Sequence, residues 1–169
     1  MIELKNIEGK TLFVSHMAQT VKEAVVEAVG AYTNLSRVDL RGADLKGAYL
    51  INAVLYKADL SGANLTDANL SHANLQGANL SCADLINTNL SSTDLHLANL
   101  RYANAKKADF AYADMRMADL RDMTFTGADL SFASVANAEV DENILQTETM
   151  LVQHLNMKPV ASDLSAAMA

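Results

Sequence analysis

From residue 33 to residue 142 the chain repeats itself every five residues, and few architectures accept that period. In residues 58–85, ADLSGANLTDANLSHANLQGANLSCADL, Ala recurs at every fifth place and Leu stands two places after it. With Leu as the central position the frame runs without insertion from Leu35 to Val140, which makes 22 repeats. Sixteen central residues are Leu, the others being Ala105, Phe110, Met115, Phe125, Val135 and Val140. Two places earlier 17 are Ala, with Thr33, Val38, Thr88, Thr93 and Met123 as departures, and the residue between is Asp or Asn in 17 repeats. Small, polar, large apolar is the signature of a short extended segment whose outer two side chains point inward and whose middle one points out.

Neither regular element accommodates this pattern. On an α-helix successive fifth residues are rotated by about 140°, so the Leu set spreads round the whole surface. On a continuous strand an odd period sends alternate Leu residues to opposite faces. The pattern becomes consistent when the chain turns a corner in every repeat, so that each short side presents its Ala and Leu to one common axis. The expected fold is therefore an all-β solenoid. Half the residues are apolar but only 9 are aromatic, five Tyr and four Phe, so small and branched aliphatic groups must fill the interior.

These residues resemble the pentapeptide repeat proteins, whose motif is a small residue, Asp or Asn, Leu or Phe, a polar residue and often Gly. The resemblance spans residues 33–142 and implies a right-handed quadrilateral β-helix in which four repeats make one square coil. About 5.5 coils follow, and at ~4.8 Å between strands a rod roughly 26 Å long. Twenty residues per coil places Ala105 between Leu85 and Phe125, with Met123 and Phe125 expected to fill the space that Ala105 leaves.

The rod's ends call for covers, because an open coil exposes core and unpaired backbone. Residues 1–32 are expected to supply a strand, Thr11–Val14, paired against the first coil. They also hold a capping helix: Thr20 and Glu23 form a possible capping box, followed by Val21, Ala24, Val25, Ala28 and Val29 at helical spacing. Similar lead-ins precede phage-associated pentapeptide repeats. After the repeats, residues 143–158 read as a second amphipathic helix through Ile144, Leu145, Leu151, Val152 and Leu155, and 159–169 as a frayed tail. Glu3, Lys5, Glu8 and Lys10 interrupt any secretory signal, and no apolar run approaches the ~18 residues that span a bilayer, so a cytoplasmic protein without membrane association is expected.

Catalytic and cofactor chemistry is not legible. His16, His72, His96 and His154 lack metal-ligand spacing with one another or with Cys82, the single cysteine. The Asp and Asn ladder lacks the Gly-rich nonapeptide of calcium-binding β-helices, and its expected role is to bond backbone at the corners. A threonine ladder for ice is excluded because the column of Thr66 and Thr126 also holds Ile86 and Lys106. No nucleophile and base pair stands out, so no enzyme, metal or cofactor is expected.

Two outward features remain. Between Lys57 and Arg101 there is no basic residue, and Asp59, Asp67, Asp84 and Asp94 make a mildly acidic belt. Farther on, Leu97 and Met117 share one corner column and Tyr112 and Phe132 another, with Tyr102 nearby; this apolar C-terminal third is the expected protein interface and homodimer contact. The reading is a non-enzymatic structural module, a rigid rod presenting flat faces to a protein partner. The alternative comes from quinolone-resistance members of the family, which mimic duplex DNA and bind type II topoisomerases such as gyrase. Over 26 Å a duplex carries roughly 15 negative charges. The repeats hold 14 acidic residues but also 9 basic ones, leaving −5, and no loop insertion, so the mimic ranks second. A net charge of −7 also argues against direct nucleic-acid binding.

Overall fold

The computed structural model of the chain describes residues 1–141. Within the repeats each five-residue unit disposes of its five backbone N–H groups in a fixed way. In the unit centred on Leu65, Ala63 N–H donates across the preceding corner to the Leu60 carbonyl at 3.0 Å. Asn64 N–H donates to Ala43 of the coil before (3.0 Å), and Leu65 and Asp67 N–H donate to Asp84 and Ile86 of the coil after (2.8 and 2.9 Å). The fifth, Thr66 N–H, has no backbone partner and donates instead to Asn64 Oδ1 at 3.1 Å. This is why the middle residue is Asp or Asn: 16 of the 17 repeats that carry one make this bond, Asn104 being the exception.

The corner is built on left-handed backbone. All 21 corner residues from Arg37 to Asn137 have positive φ, and only Gly42, Gly47, Gly62, Gly77 and Gly127 among them are glycine. A side chain in this conformation is strained by about 1 kcal/mol or more. A turn bond and a bond to the next coil hold each corner from Arg37 to Met117 there.

Single parallel bridges join every residue of the ladder to the one twenty places on. The coil therefore has four sides of five residues. The first side runs down the column from Asp39 to Glu139, the second from Asp44 to Thr124, the third from Tyr49 to Asp129 and the fourth from Val54 to Ser134. Inside, Leu60, Leu80 and Leu100 are fully buried, while Asp59, Asn79 and Asn99 beside them are partly exposed. Ala105 is buried too, and the rings of Phe110 and Phe125 meet edge to face, 6.1 Å between centroids, with Met123 buried alongside. Thr88 and Thr93, which replace inward Ala, are buried with their hydroxyls donating to the carbonyls of Leu65 and Leu70 at 2.7 and 3.1 Å. A polar group thus enters the core without an unmet hydrogen bond.

The lead-in differs from expectation in its strand pairing. β1 (Ile2–Lys5) and β2 (Thr11–Ser15) form an antiparallel hairpin, and the chain at the end of β1, not residues 11–14, meets the first coil. Asn6 bridges Val38, and Asp39 N–H donates to the Lys5 carbonyl at 2.8 Å. The reason is local: Gly9 adopts φ +84°, and Asn6 Oδ1 accepts from the N–H groups of Glu8 and Lys10, so the chain doubles back on itself. Closing so short a loop costs less entropy than bringing residue 11 to the coil. α1 (Val21–Gly30) begins at Thr20, whose side chain accepts from Glu23 N–H. Ala24, Val25 and Ala28 join the same buried cluster as Leu35, whereas Val21, in the first turn, stays 42% exposed. The apolar stripe of α1 engages only from its second turn. The helix expected over 143–158 and the tail 159–169 lie outside the described residues.

Leu75 is fully buried in the column of Leu35, Leu55 and Leu95. Leu75→Ala is expected to destabilise the protein by about 2 to 5 kcal/mol, through lost burial and the cavity left behind. Denaturant unfolding with an unchanged slope checks this; a loss below about 1 kcal/mol would mean that the coils collapse onto the gap.

Candidate interaction surface

Because the interior is fully specified, chemistry can reside only on outward positions, and the four sides differ sharply there. Each side is taken here with the two residues that lead round its following corner. Of the 22 Asp, Glu, Lys and Arg residues from Arg37 to Asp141, 15 belong to the first and second sides. The third side has only Asp109 and Asp129. Large exposed apolar groups divide the opposite way, with seven of the eight in the repeats on the third and fourth sides. The rod is therefore amphipathic round its circumference.

The charged half is partly neutralised, with nine acidic and six basic residues. Arg41 holds Asp39 through two hydrogen bonds, at 2.8 and 2.6 Å, and Arg121 holds Asp119 in the same way. These bonds keep the Asp39 and Asp119 carboxyls below the usual carboxylate range, against a smaller opposing effect of burial. On the fourth side Arg116 does the same for Asp114.

The four acidic residues singled out from the sequence do not share a face. Asp59 stands on the first side with Arg41 at 3.9 Å, Asp84 on the second, and Asp94 on the fourth. Asp67 turns the corner after the second side, 4.0 Å from Lys46. They encircle the rod, and two of them have cations beside them. The apolar residues are better grouped. Tyr112 and Phe132 stack one coil apart, 4.9 Å between centroids and 11° between planes, on the corner joining the third and fourth sides. They are 63% and 70% exposed. Leu97 and Met117 lie one above the other on the next corner, so the two pairs flank the lower fourth side. Tyr102 departs from the group: it sits on the corner between the first and second sides, against the Arg101 guanidinium.

Sequence reasoning missed Tyr49, Ile51 and Val54. Tyr49 and Val54 replace the Asp or Asn that caps the following N–H, and they are 71% and 39% exposed. Both positions thus forgo a structural hydrogen bond to place an apolar group in water. The signal was present as two of the five departures from Asp or Asn in the repeats, but without the N–H count its meaning was hidden. Tyr49 also lines an open groove of about 370 Å³ between α1 and the rod, with Val26, Gly47 and Ala48. Among the described residues no group of three His, Cys, Asp or Glu is placed to hold a metal, and Cys82 lies exposed on a corner. No helix among them is long and apolar enough to cross a membrane.

A four-sided parallel coil with a five-residue side defines a class of solenoid, and its sequence places it further. The family model described as pentapeptide repeats matches residues 33–71, 68–104, 78–116 and 106–139, so the chain belongs to the pentapeptide repeat family and the rod is a right-handed quadrilateral β-helix. A pentapeptide repeat protein of known structure from Nostoc Pcc 7120 is 34% identical, with 72% of this chain and 96% of that one covered and a TM-score of 0.57. One from the cyanobacterium Cyanothece 51142 is 39% identical over 50% of this chain, which spans 61% of that protein, with a TM-score of 0.29. QnrB1, a plasmid-mediated fluoroquinolone resistance protein, is 18% identical, with 73% of this chain and 68% of that one covered and a TM-score of 0.41. Among curated proteins none matches this chain.

The N–H count separates residues kept for folding from the rest. Asn69→Ala removes the acceptor of Ser71 N–H (3.0 Å) at a buried residue and is expected to cost about 1 to 3 kcal/mol. Tyr49→Asn restores the missing bond and should leave stability unchanged or raise it by about 0.5 to 1.5 kcal/mol. Thermal and urea unfolding of the two variants give the comparison; destabilisation by Tyr49→Asn would show that Tyr49 serves the fold.

Proposed function

We propose that the protein is a non-enzymatic binding module, a rigid rod of about 5.5 coils with α1 over its N-terminal end, and that its weakly charged half contacts protein. The observation that carries this reading is the segregation of exposed apolar groups onto the third and fourth sides, away from the half that holds 15 of the 22 charged residues. Contiguous exposed apolar surface on a rigid scaffold marks interaction sites. A second copy of the chain is one partner, through the C-terminal third that bears Leu97, Tyr112, Met117 and Phe132. Tyr102 belongs to the other half and is left out of this contact. The reading predicts a dimer in sedimentation at tens of micromolar, and a monomer of unchanged circular dichroism when Tyr112 and Phe132 are both replaced by Ser. A wild-type monomer at that concentration would remove the dimer.

The DNA-mimic alternative needs spaced, unneutralised carboxylates along one face to meet a basic groove. Asp59, Asp67, Asp84 and Asp94 encircle the rod instead, and Arg41 and Lys46 stand beside two of them. At low micromolar concentration the protein is expected neither to inhibit gyrase supercoiling nor to protect the enzyme from quinolones. Inhibition abolished by changing Asp59, Asp84 and Asp94 to Lys would promote the mimic to first place.

A further inference from the structure

We propose that the N-terminal rim of the third side is a strand-addition site. Its occupant is an extended cationic segment of a partner protein, lying along residues 49–51 with an aliphatic side chain in the groove against α1. The inference rests on the reading that the weakly charged half contacts protein, and it names the place and the chemistry of that contact.

Backbone groups mark the rim. One coil down on the same side, Asn69 N–H donates to the Ala48 carbonyl at 2.9 Å, and the Asn69 carbonyl accepts from Leu50 N–H at 2.7 Å. Ser71 N–H is capped by Asn69 Oδ1 at 3.0 Å, and the Ser71 carbonyl accepts from Asn52 N–H at 3.1 Å. The same four groups of Tyr49 and Ile51 have no partner among the described residues. Tyr49 itself accounts for one of them, because its ring cannot cap Ile51 N–H as Asn69 caps Ser71. Lower down, three of these groups are met by extended backbone running parallel, so an extended segment is the chemistry that fits the rim.

The first coil already takes one extended segment. On the first side the end of β1 lies against it, with Asp39 N–H donating to the Lys5 carbonyl at 2.8 Å and Ile7 N–H to the Arg37 carbonyl at 2.9 Å. On the second side charge guards the edge: Lys22 Nζ donates to the Lys46 carbonyl and Asp44 caps Lys46 N–H, both at 3.2 Å. The third side has neither device, and the side chains it shows at this level are Tyr49 and Ile51, 71% and 41% exposed.

The groove beside the rim selects the side chains. It is lined by Val26, Ala48 and Tyr49 and by Lys22, Glu23 and Glu27. Val26 and Ala48 favour an aliphatic side chain, whose burial supplies affinity that exchanging hydrated backbone for paired backbone does not. Two carboxylates against one ammonium leave the lining acidic. Glu23 accepts from Gln19 N–H and Glu27 from the Ser15 hydroxyl, and neither has an ion pair among the described residues, whereas Lys22 is turned to the Lys46 carbonyl. An Arg or Lys beside the aliphatic residue is therefore favoured, and a chain of net charge −7 opposes an acidic segment.

The test selects binders to the full chain from a library of random nine-residue peptides, then measures the synthesised peptides by fluorescence anisotropy. Selected sequences should carry Arg or Lys beside a large aliphatic residue. N-methylation of alternate peptide amides should weaken binding at least tenfold while the intervening ones change it less than twofold, the mark of strand pairing that leaves the protein untouched. Tyr49→Asn, which caps Ile51 N–H, should weaken it at least fivefold. Hydrogen exchange read by NMR should find Tyr49 N–H unprotected in the free chain, Asn69 N–H protected, and Tyr49 N–H slowed by the peptide. Protection of Tyr49 N–H without peptide overturns the choice of occupant: if independent of protein concentration it assigns the rim to residues 142–169, and if it rises with concentration to a second copy. No selected peptide, or peptides indifferent to Tyr49→Asn and to N-methylation but lost with Tyr112→Ser and Phe132→Ser, overturns the rim and leaves the reading beneath it standing. Peptides lost only with Arg41→Glu on the first side overturn both.

Discussion

Every backbone N–H of the repeat must find an acceptor within a unit too short to be a strand, and most of the structure follows from how that is done. Four of the five donate to backbone, in the corner turn and in the coils above and below. The fifth is left to the side chain two residues earlier, and only a short side chain with an oxygen at the right reach, Asp or Asn, closes that ring. The side can then be three residues long, its outer two side chains point to the axis, and a corner can follow immediately. Sixteen non-glycine residues between Arg37 and Asn137 adopt left-handed backbone to make those corners. That strain is sustained because the corners from Arg37 to Met117 are each bonded to the coil next to them, so a coil depends on its neighbours.

An interior specified this tightly leaves the protein little freedom except on its outward positions, and there departures from the rule carry information. Tyr49 and Val54 give up a bond that the fold uses elsewhere, whereas Thr88 and Thr93 depart from Ala yet meet their own hydrogen bonds inside the core. The first pair makes no hydrogen bond in its place, with Tyr49 lining the groove against α1, and the second pair meets its own in full. That contrast assigns Tyr49 and Val54 to the surface's business and Thr88 and Thr93 to the scaffold's. The charged positions show a third outcome: Asp39 and Asp119 on the first side and Asp114 on the fourth cap backbone and at the same time neutralise Arg41, Arg121 and Arg116 two residues on, so one carboxylate serves both the turn and the surface charge.

What the sequence by itself determined is whatever repeats within five residues: the solenoid, its frame from Leu35 to Val140, the inward Leu and Ala positions, and the outward Asp and Asn. These follow from short-range sterics and from burial, which every unit states again, so the reading is corrected at each repeat. The tertiary structure alone decided what depends on distance round the coil or on competition between partners. It set Tyr102 on a different corner from Tyr112, distributed the four belt carboxylates about the rod, and put Arg41 and Lys46 beside two of them. It also gave the first coil to the end of β1 instead of β2, because Asn6 and Gly9 turn the chain back before Thr11 can reach it. A charge or an aromatic ring on the surface is read in the sequence as a residue type, but its meaning is set by its neighbours twenty places away and on the adjoining side. Those neighbours are fixed only when the coils stack.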